Sequence, residues 1–144
     1  MEFISFKAYE VAFMKAAELG RLATIQRDGT PQVSPVGFTY NEELGTIDIS
    51  GYNMAKSQKF RNVAHHDKAA FVVDDIASRD PWRVRCLEIR GTAKQVVAAQ
   101  GEPGAAGDAL ESAIIRITPH RIISFGINDT ATEPRQLKAD SRNV

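Results

Sequence analysis

Ser50-Gly51-Tyr52-Asn53-Met54-Ala55-Lys56-Ser57-Gln58-Lys59-Phe60-Arg61-Asn62 is the stretch around which this 144-residue chain is organised. The preceding Thr46-Ile47-Asp48-Ile49 alternates and is β-branched, so it reads as a strand. Gly51 then turns the chain. From Asn53, a fitting N-cap, the spacing becomes helical to about residue 66, with Phe60, Val63 and Ala64 as the apolar stripe. Lys56 and Lys59 fall near the start of that helix. A helix N-terminus is already positive, and cations are favoured at the other end. Two readings stay open on these residues alone. One is a solvated helix start with incidental lysines. The other is an anion site, in which helix N–H groups and added cations hold a phosphate.

Upstream, residues 9–19 form a short amphipathic helix, with Val11, Met14 and Glu18 on one side and Phe13, Ala16 and Ala17 on a second apolar edge. Gly20 is a natural C-terminal cap. Residues 21–27 alternate as a strand, and Asp28-Gly29 is a hairpin turn signal. The return strand, 31–40, contains Pro35, which removes a ladder donor and implies an edge or a bulge. Residues 41–45 turn again into the strand at 46–49.

Downstream, 68–74 reads as a fourth strand and 75–82 as a loop, with Ser78, Asp80 and Pro81 as turn formers. Residues 84–97 form a long fifth strand, and Gly91 inside it suggests a bulge or bend. The glycine-rich segment 100–108 is a surface loop; it lacks the Lys-Ser/Thr of a phosphate loop. Strands at 113–118 and 121–126 are joined through Pro119. From Asn128 the chain is polar and reads as a mobile tail. The predicted fold is mainly β (α+β): a small antiparallel barrel of six or seven strands with two flanking helices. It forms one domain over residues 1–127, with a polar C-terminal tail at 128–144.

Composition narrows the function classes. Eighteen basic residues balance eighteen acidic ones. That argues against a nucleic-acid or membrane-surface protein, which needs a basic excess, yet leaves room for a local basic pocket. The single cysteine, Cys86, gives no disulfide framework and no metal spacing, and its strand-like neighbours make it a small buried hydrophobe. No apolar run is long enough to span a bilayer, and Met1–Lys7 lacks a signal-peptide core, so a cytoplasmic protein is expected. His65 and His66 are adjacent and point in different directions on a helix, so no metal site is predicted. His120 reads as a turn residue, and Asp74-Asp75 as a solvated strand end. Arg79, Arg83 and Arg85 flank Trp82. They are either a solvated loop whose Trp plugs the core or a subunit interface, or an anion rim with Trp82 as a stacking face.

The strongest constellation has two parts. Ser34-Pro35-Val36 lies on one strand, and Ser50 to Lys59 follows the next, so the two can be neighbours. A bulge at Pro35 would turn backbone groups outward. Together they would make an elongated site with a polar phosphate end and a planar apolar slot, a shape suited to a flavin-like cofactor.

Several segments carry a family resemblance. They are Gly20-Arg21-Leu22-Ala23-Thr24, Asp28-Gly29-Thr30-Pro31-Gln32-Val33-Ser34-Pro35-Val36, Lys59-Phe60-Arg61-Asn62-Val63 and Val72-Val73-Asp74-Asp75. They resemble the pyridoxamine 5'-phosphate oxidase-like split β-barrel superfamily. More closely, the chain looks like the small actinobacterial members that use the deazaflavin coenzyme F420. Asp80-Pro81-Trp82-Arg83, Glu88-Ile89-Arg90-Gly91-Thr92-Ala93 and Arg121-Ile122-Ile123-Ser124-Phe125-Gly126 fit the same subgroup. The resemblance implies a homodimer with two cofactor sites at the subunit interface and a small-molecule substrate. It implies that Lys56, Ser57 and Lys59 contact the cofactor phosphate. Ser34, Pro35 and Val36 would line the ring. Ser50, Gly51, Tyr52 and Asn53 would come from the end of the third strand, and Trp82 from the partner subunit.

The implied chemistry is hydride transfer from reduced F420 to an electron-poor double bond, with Tyr52 or solvent supplying the proton. FMN on the same barrel is the alternative cofactor. A flavin, F420 or haem-like carrier without turnover is the alternative class. The chain lacks the C-terminal Arg-x-His segment of the vitamin B6 oxidases, which argues against pyridoxamine phosphate oxidation.

Overall fold

The computed structural model describes residues 5–97 and 112–144. In chain order the elements are α1 (Ala8–Ala16), β1 (Gly20–Ile25), β2 (Pro31–Asn41), β3 (Thr46–Ser50), α2 (Gln58–His65), β4 (Lys68–Arg79), β5 (Trp82–Val97), β6 (Ala113–Phe125) and β7 (Asp140–Asn143). Short 3₁₀ turns lie at Met54–Lys56 and Pro134–Gln136. The sheet order is β3-β2-β1-β4-β5-β6-β7, with every pairing antiparallel. A further β3–β6 pairing closes six strands into a ring. This is the split antiparallel barrel with two helices that the sequence predicts, with seven strands. The loop expected at 100–108 lies outside the described residues.

Strand alternation explains the closure. Ile47 and Ile49 face Ile117 and Ile115 across the β3–β6 pair, and all four are fully buried. Each contributes about 1.5–3 kcal/mol by leaving water. Between them, on the opposite face, Asp48 is held by Arg116 through Nε at 3.0 Å and Nη2 at 3.1 Å. Asn41 and Thr46 also donate to Asp48, at 3.1 and 2.9 Å. Burial pushes the Asp48 carboxyl up, but the Arg116, Asn41 and Thr46 donors outweigh it and hold it below the usual carboxylate range. A carboxylate depressed in the folded state stabilises above its unfolded pKa, and that stability is lost as pH falls through the folded one. Asp48→Asn is therefore expected to cost about 1–2 kcal/mol at neutral pH, the lower range for charged hydrogen bonds at a half-buried site. The difference from wild type should shrink on acidification. Urea midpoints across the acid range check this, and two parallel curves would remove Asp48 from the acid response.

Several local expectations are corrected. Gly20 is not a helix cap. It opens β1, where an added Cβ would lie 2.2 Å from the Phe71 ring, and the cap position of α1 is Ala17. The buried face of α1 is Glu10, Phe13 and Met14, so its core edge contains an acid. Pro35 is not bulged. β2 pairs with β1 in unbroken register from Gly20↔Val36 to Ile25↔Pro31. β3 ends at Ser50 opposite Gly37, so Pro35 sits in the half of β2 with a partner on one side only. This is the edge alternative, where the missing donor costs no ladder bond.

The expected loop at 75–82 is mostly strand. β4 runs to Arg79 and β5 begins at Trp82, with a cis Asp80-Pro81 peptide between them. Asp74 and Asp75 consequently pair with Arg21 and Arg85 across the sheet instead of ending a strand. The last two expected strands are one, β6, and its register shifts where Gly91 of β5 meets Pro119. A Cβ on Gly91 would lie 2.0 Å from the Thr118 carbonyl oxygen, so the bulge expected there needs glycine. The chain end does not run off as a loose tail, since β7 adds to β6 from Arg121↔Asn143 to Ser124↔Asp140. No helix among the described residues is long and apolar enough to cross a membrane.

Candidate functional site

The candidate site begins where β3 ends at Ser50. Beyond Ser50 the chain leaves the sheet through Gly51 and Tyr52, and Asn53 takes a left-handed conformation at φ 53°. Asparagine tolerates that region better than most residues. The Met54–Lys56 turn follows, with Met54 buried as its anchor. The helix begins later than expected: Ser57, not Asn53, is the N-cap of α2. The Ser57 hydroxyl accepts from the Phe60 N–H at 3.2 Å and donates to the Met54 carbonyl at 2.6 Å. Arg61 Nη1 donates to the Lys56 carbonyl at 2.7 Å, and Nη2 to Gln58 Oε1 at 2.9 Å. The turn is thus tied at both ends.

What it displays is polar and cationic. Gly51, Tyr52, Asn53 and Lys56 are exposed, and Ser57 and Lys59 are half-buried. Residues 49–66 carry Lys56, Lys59 and Arg61 and no acid. Neither Lys56 nor Lys59 joins an ion pair among the described residues. The N–H groups of Gln58 and Lys59 lie in the first turn of α2, where no intrahelical acceptor exists. These donors and cations fit a phosphate group.

The register sets Ser34-Pro35-Val36 beside this turn, because Gly37 is the partner of Ser50. Ser34 is half-buried and Pro35 exposed, while the Val36 side chain belongs to the core, so only its backbone can face a ligand. These two groups of predicted residues lie on adjoining strands, on either side of the Gly37–Ser50 pair. Trp82 is apart from them in the chain's own fold. It lines a cleft at the tip of the β4–β5 hairpin with Pro81, Arg83, Phe125 and residues 133–137.

Three side chains escaped sequence reasoning. Arg61 holds the turn, and Asn62, with Gln32, holds the helix. Asn62 is buried and donates to Thr24 Oγ1 at 3.0 Å and to Gln32 Oε1 at 2.9 Å, while accepting from Gln58 Nε2 at 2.7 Å. An amide between the apolar Phe60 and Val63 was the available signal, since both neighbours face the core. Ala64, assigned to the apolar stripe, is exposed. Burial, then Glu88 and Asp74, push the Cys86 thiol up, which disfavours the thiolate. Among the described residues no group of three His, Cys, Asp or Glu could hold a metal ion.

A relative from Streptomyces rimosus subsp. rimosus, a 5a,11a-dehydrotetracycline/5a,11a-dehydrooxytetracycline reductase, is 41% identical over 140 residues, covering 94% of this chain and 95% of its own. Among solved structures, a conserved hypothetical protein from Mycobacterium tuberculosis superposes with TM-score 0.64 at 23% identity, over 84% of each chain. A pyridoxamine 5'-phosphate oxidase-related, FMN-binding protein from Nostoc punctiforme gives TM-score 0.60 at 11% identity, over 97% of this chain and 98% of its own. Residues 7–128 match the pyridoxamine 5'-phosphate oxidase family. Barrel and sequence agree, and the chain belongs to the pyridoxamine 5'-phosphate oxidase family.

Proposed function

We propose that the chain is a homodimeric, F420-dependent reductase of small unsaturated or quinone-like compounds. The observation that carries this is the tied, acid-free cationic turn that follows β3, next in the sheet to the half of β2 that is paired on one side only, in a chain 41% identical to a dehydrotetracycline reductase. Reduced F420, when bound, supplies a hydride for an electron-poor double bond. The protein's work is orientation and charge. Lys56 and Lys59, with the first N–H groups of α2, hold the phosphate. Gly51 admits a ligand close to the backbone, because a Cβ there would meet only Met54 Cε at 3.9 Å. Ser34, Pro35 and the Val36 backbone line the ring. The proton for the second carbon of the double bond comes from the Tyr52 hydroxyl or from solvent.

The second copy is supported by the outer face of the sheet. Val33 is 68% exposed there, and Ala23, Ala70, Val72 and Ile123 share that face across β1, β2, β4 and β6, with Glu88 and Arg90 of β5 between them. The partner's hairpin would bring its own Trp82 to the cofactor.

Fluorescence titration with F420 and, separately, with FMN tests the proposal. Saturable binding of F420, followed by its oxidation with an enone or menadione acceptor, is expected. Lys59→Ala should weaken F420 binding by about 1.5–3 kcal/mol, the scale of a charge-assisted hydrogen bond. Tight FMN binding without an F420 response would overturn the cofactor, binding without hydride transfer would make the chain a carrier, and a 15.8 kDa particle in sedimentation would overturn the dimer.

A further inference from the structure

We infer that the cleft at the tip of the β4–β5 hairpin binds a planar polycyclic aromatic anion, the acceptor of the reduction proposed above. Only the ligand's role as acceptor rests on that proposal. The cleft itself follows from how the chain leaves β6. Gly126, at φ 75°, turns the backbone across the start of β5, so closely that a Cβ would lie 2.4 Å from the Val84 carbonyl oxygen. The following loop is then fixed twice. The Asp129 carboxylate accepts from the N–H groups of Ala131 and Thr132 at 3.1 and 2.9 Å. The Arg83 guanidinium donates to the Thr132 carbonyl at 2.7 Å and to the Asp129 carbonyl at 3.5 Å.

This folds the 3₁₀ turn back over the hairpin. Pro134, Arg135 and Leu137 form one wall, and Trp82, Val84 and Phe125 the other, around about 590 Å³. That volume lies within the range of small-molecule sites, which combine an apolar lining with few polar groups. Trp82 is 55% exposed and offers the largest aromatic face in the chain to a flat ring. The rim is cationic. Arg83 and Arg135 outnumber the single Glu133 carboxylate in the lining, and Arg135 is exposed and makes no ion pair among the described residues, while Glu133 accepts from the Arg135 N–H at 3.0 Å. A cleft lined by an indole, a proline and a leucine, with a free guanidinium in the same lining, matches a flat ring system bearing a phenolate or enolate. The other large cavity, where Lys68, Arg90, His120 and Arg121 surround Ala23 and Ala70, has the His120 imidazole in place of an indole or phenyl face and lies on the surface assigned to the second copy.

Trp82 is the only tryptophan in the chain, so its emission reports on this cleft. The test titrates the full chain, free of cofactor, with tetracycline as probe and follows that emission with inner-filter correction. Saturable quenching is expected. It should weaken about tenfold or more in Arg135→Glu and in Leu137→Asp, and stay unchanged in Lys59→Ala. Arg135 is exposed, so its reversal keeps the test valid if Leu137→Asp fails to fold. Linear quenching, or an unchanged curve in Arg135→Glu, would overturn the inference. Intact F420 binding with no tetracycline quenching defeats the cleft alone; intact quenching with no F420 binding defeats the cofactor proposal alone.

Discussion

Arg142→Ala should destabilise the protein by about 3–5 kcal/mol, the cost of leaving a buried charge without its partner. The partner is Glu10, on the buried face of α1 with a side chain 0% exposed. Arg142 reaches it from β7 with both terminal nitrogens, at 3.1 and 2.5 Å, and Nη2 also donates to the Ser5 carbonyl at 2.6 Å. Glu10 Oε1 accepts in addition from the Lys7 N–H at 2.8 Å, which ties the carboxylate to the start of its own helix. Hydrogen bonding to Glu10 raises the Arg142 guanidinium further, so this cation stays charged at any accessible pH. Without it, one backbone N–H would face a buried carboxylate, and β7 would lose its main anchor. Thermal denaturation should show a fall in Tm on the order of 10 °C, and hydrogen exchange should lose protection at 140–143. The double replacement Glu10→Leu/Arg142→Leu should recover most of the loss, because a buried pair is often replaceable by apolar groups. A stability of Arg142→Ala within 1 kcal/mol of wild type would show that water reaches Glu10.

That latch marks the limit of what the sequence displayed. The barrel was legible because its signals are local. Asp28-Gly29 is a turn wherever it occurs, and the alternation of Thr46-Ile47-Asp48-Ile49 fixes which side faces in. The register of Gly37 with Ser50 follows from the same alternation, and it puts Ser34 on the strand next to the one that leads into the lysine-rich turn. What stayed hidden depends on partners distant in sequence. Glu10 pairs with Arg142 across 132 positions, and nothing around either residue announces it. A polar segment after Asn128 reads as tail because its burial is supplied by α1 and β6. Gly20 looks like a cap until Phe71 is seen lying over it. Within the site, the Ser57 hydroxyl reads as a phosphate contact but already serves the backbone on both sides, through Phe60 and Met54. The phosphate proposal therefore leans on Lys56, Lys59 and the helix amides.

Asn62 connects stability to that proposal. Asn62→Ala is expected to cost about 2–3 kcal/mol, since it opens a small cavity and removes the donor to the buried Thr24 hydroxyl. Asn62→Leu separates the two causes. If packing holds α2 in place, leucine restores stability; if the hydrogen bonds do, it restores little, because Thr24, Gln32 and Gln58 still lose their shared partner. We expect little restoration. The functional consequence follows from geometry. Asn62 faces the barrel, on the same two turns of helix that carry Lys59, and it pins those turns to β1 and β2. Releasing it lets Lys59 and the first amides of α2 shift relative to β1 and β2. A displacement of about 1 Å is enough to spoil a positioned contact. Both Asn62 variants should therefore weaken F420 binding although the residue touches no ligand, while tetracycline quenching of Trp82, at the far hairpin, stays as in wild type. Titration at a temperature where the variants remain folded checks this. F420 affinity unchanged in a folded Asn62→Leu would mean that the cationic turn holds its shape through Ser57 and Arg61 alone.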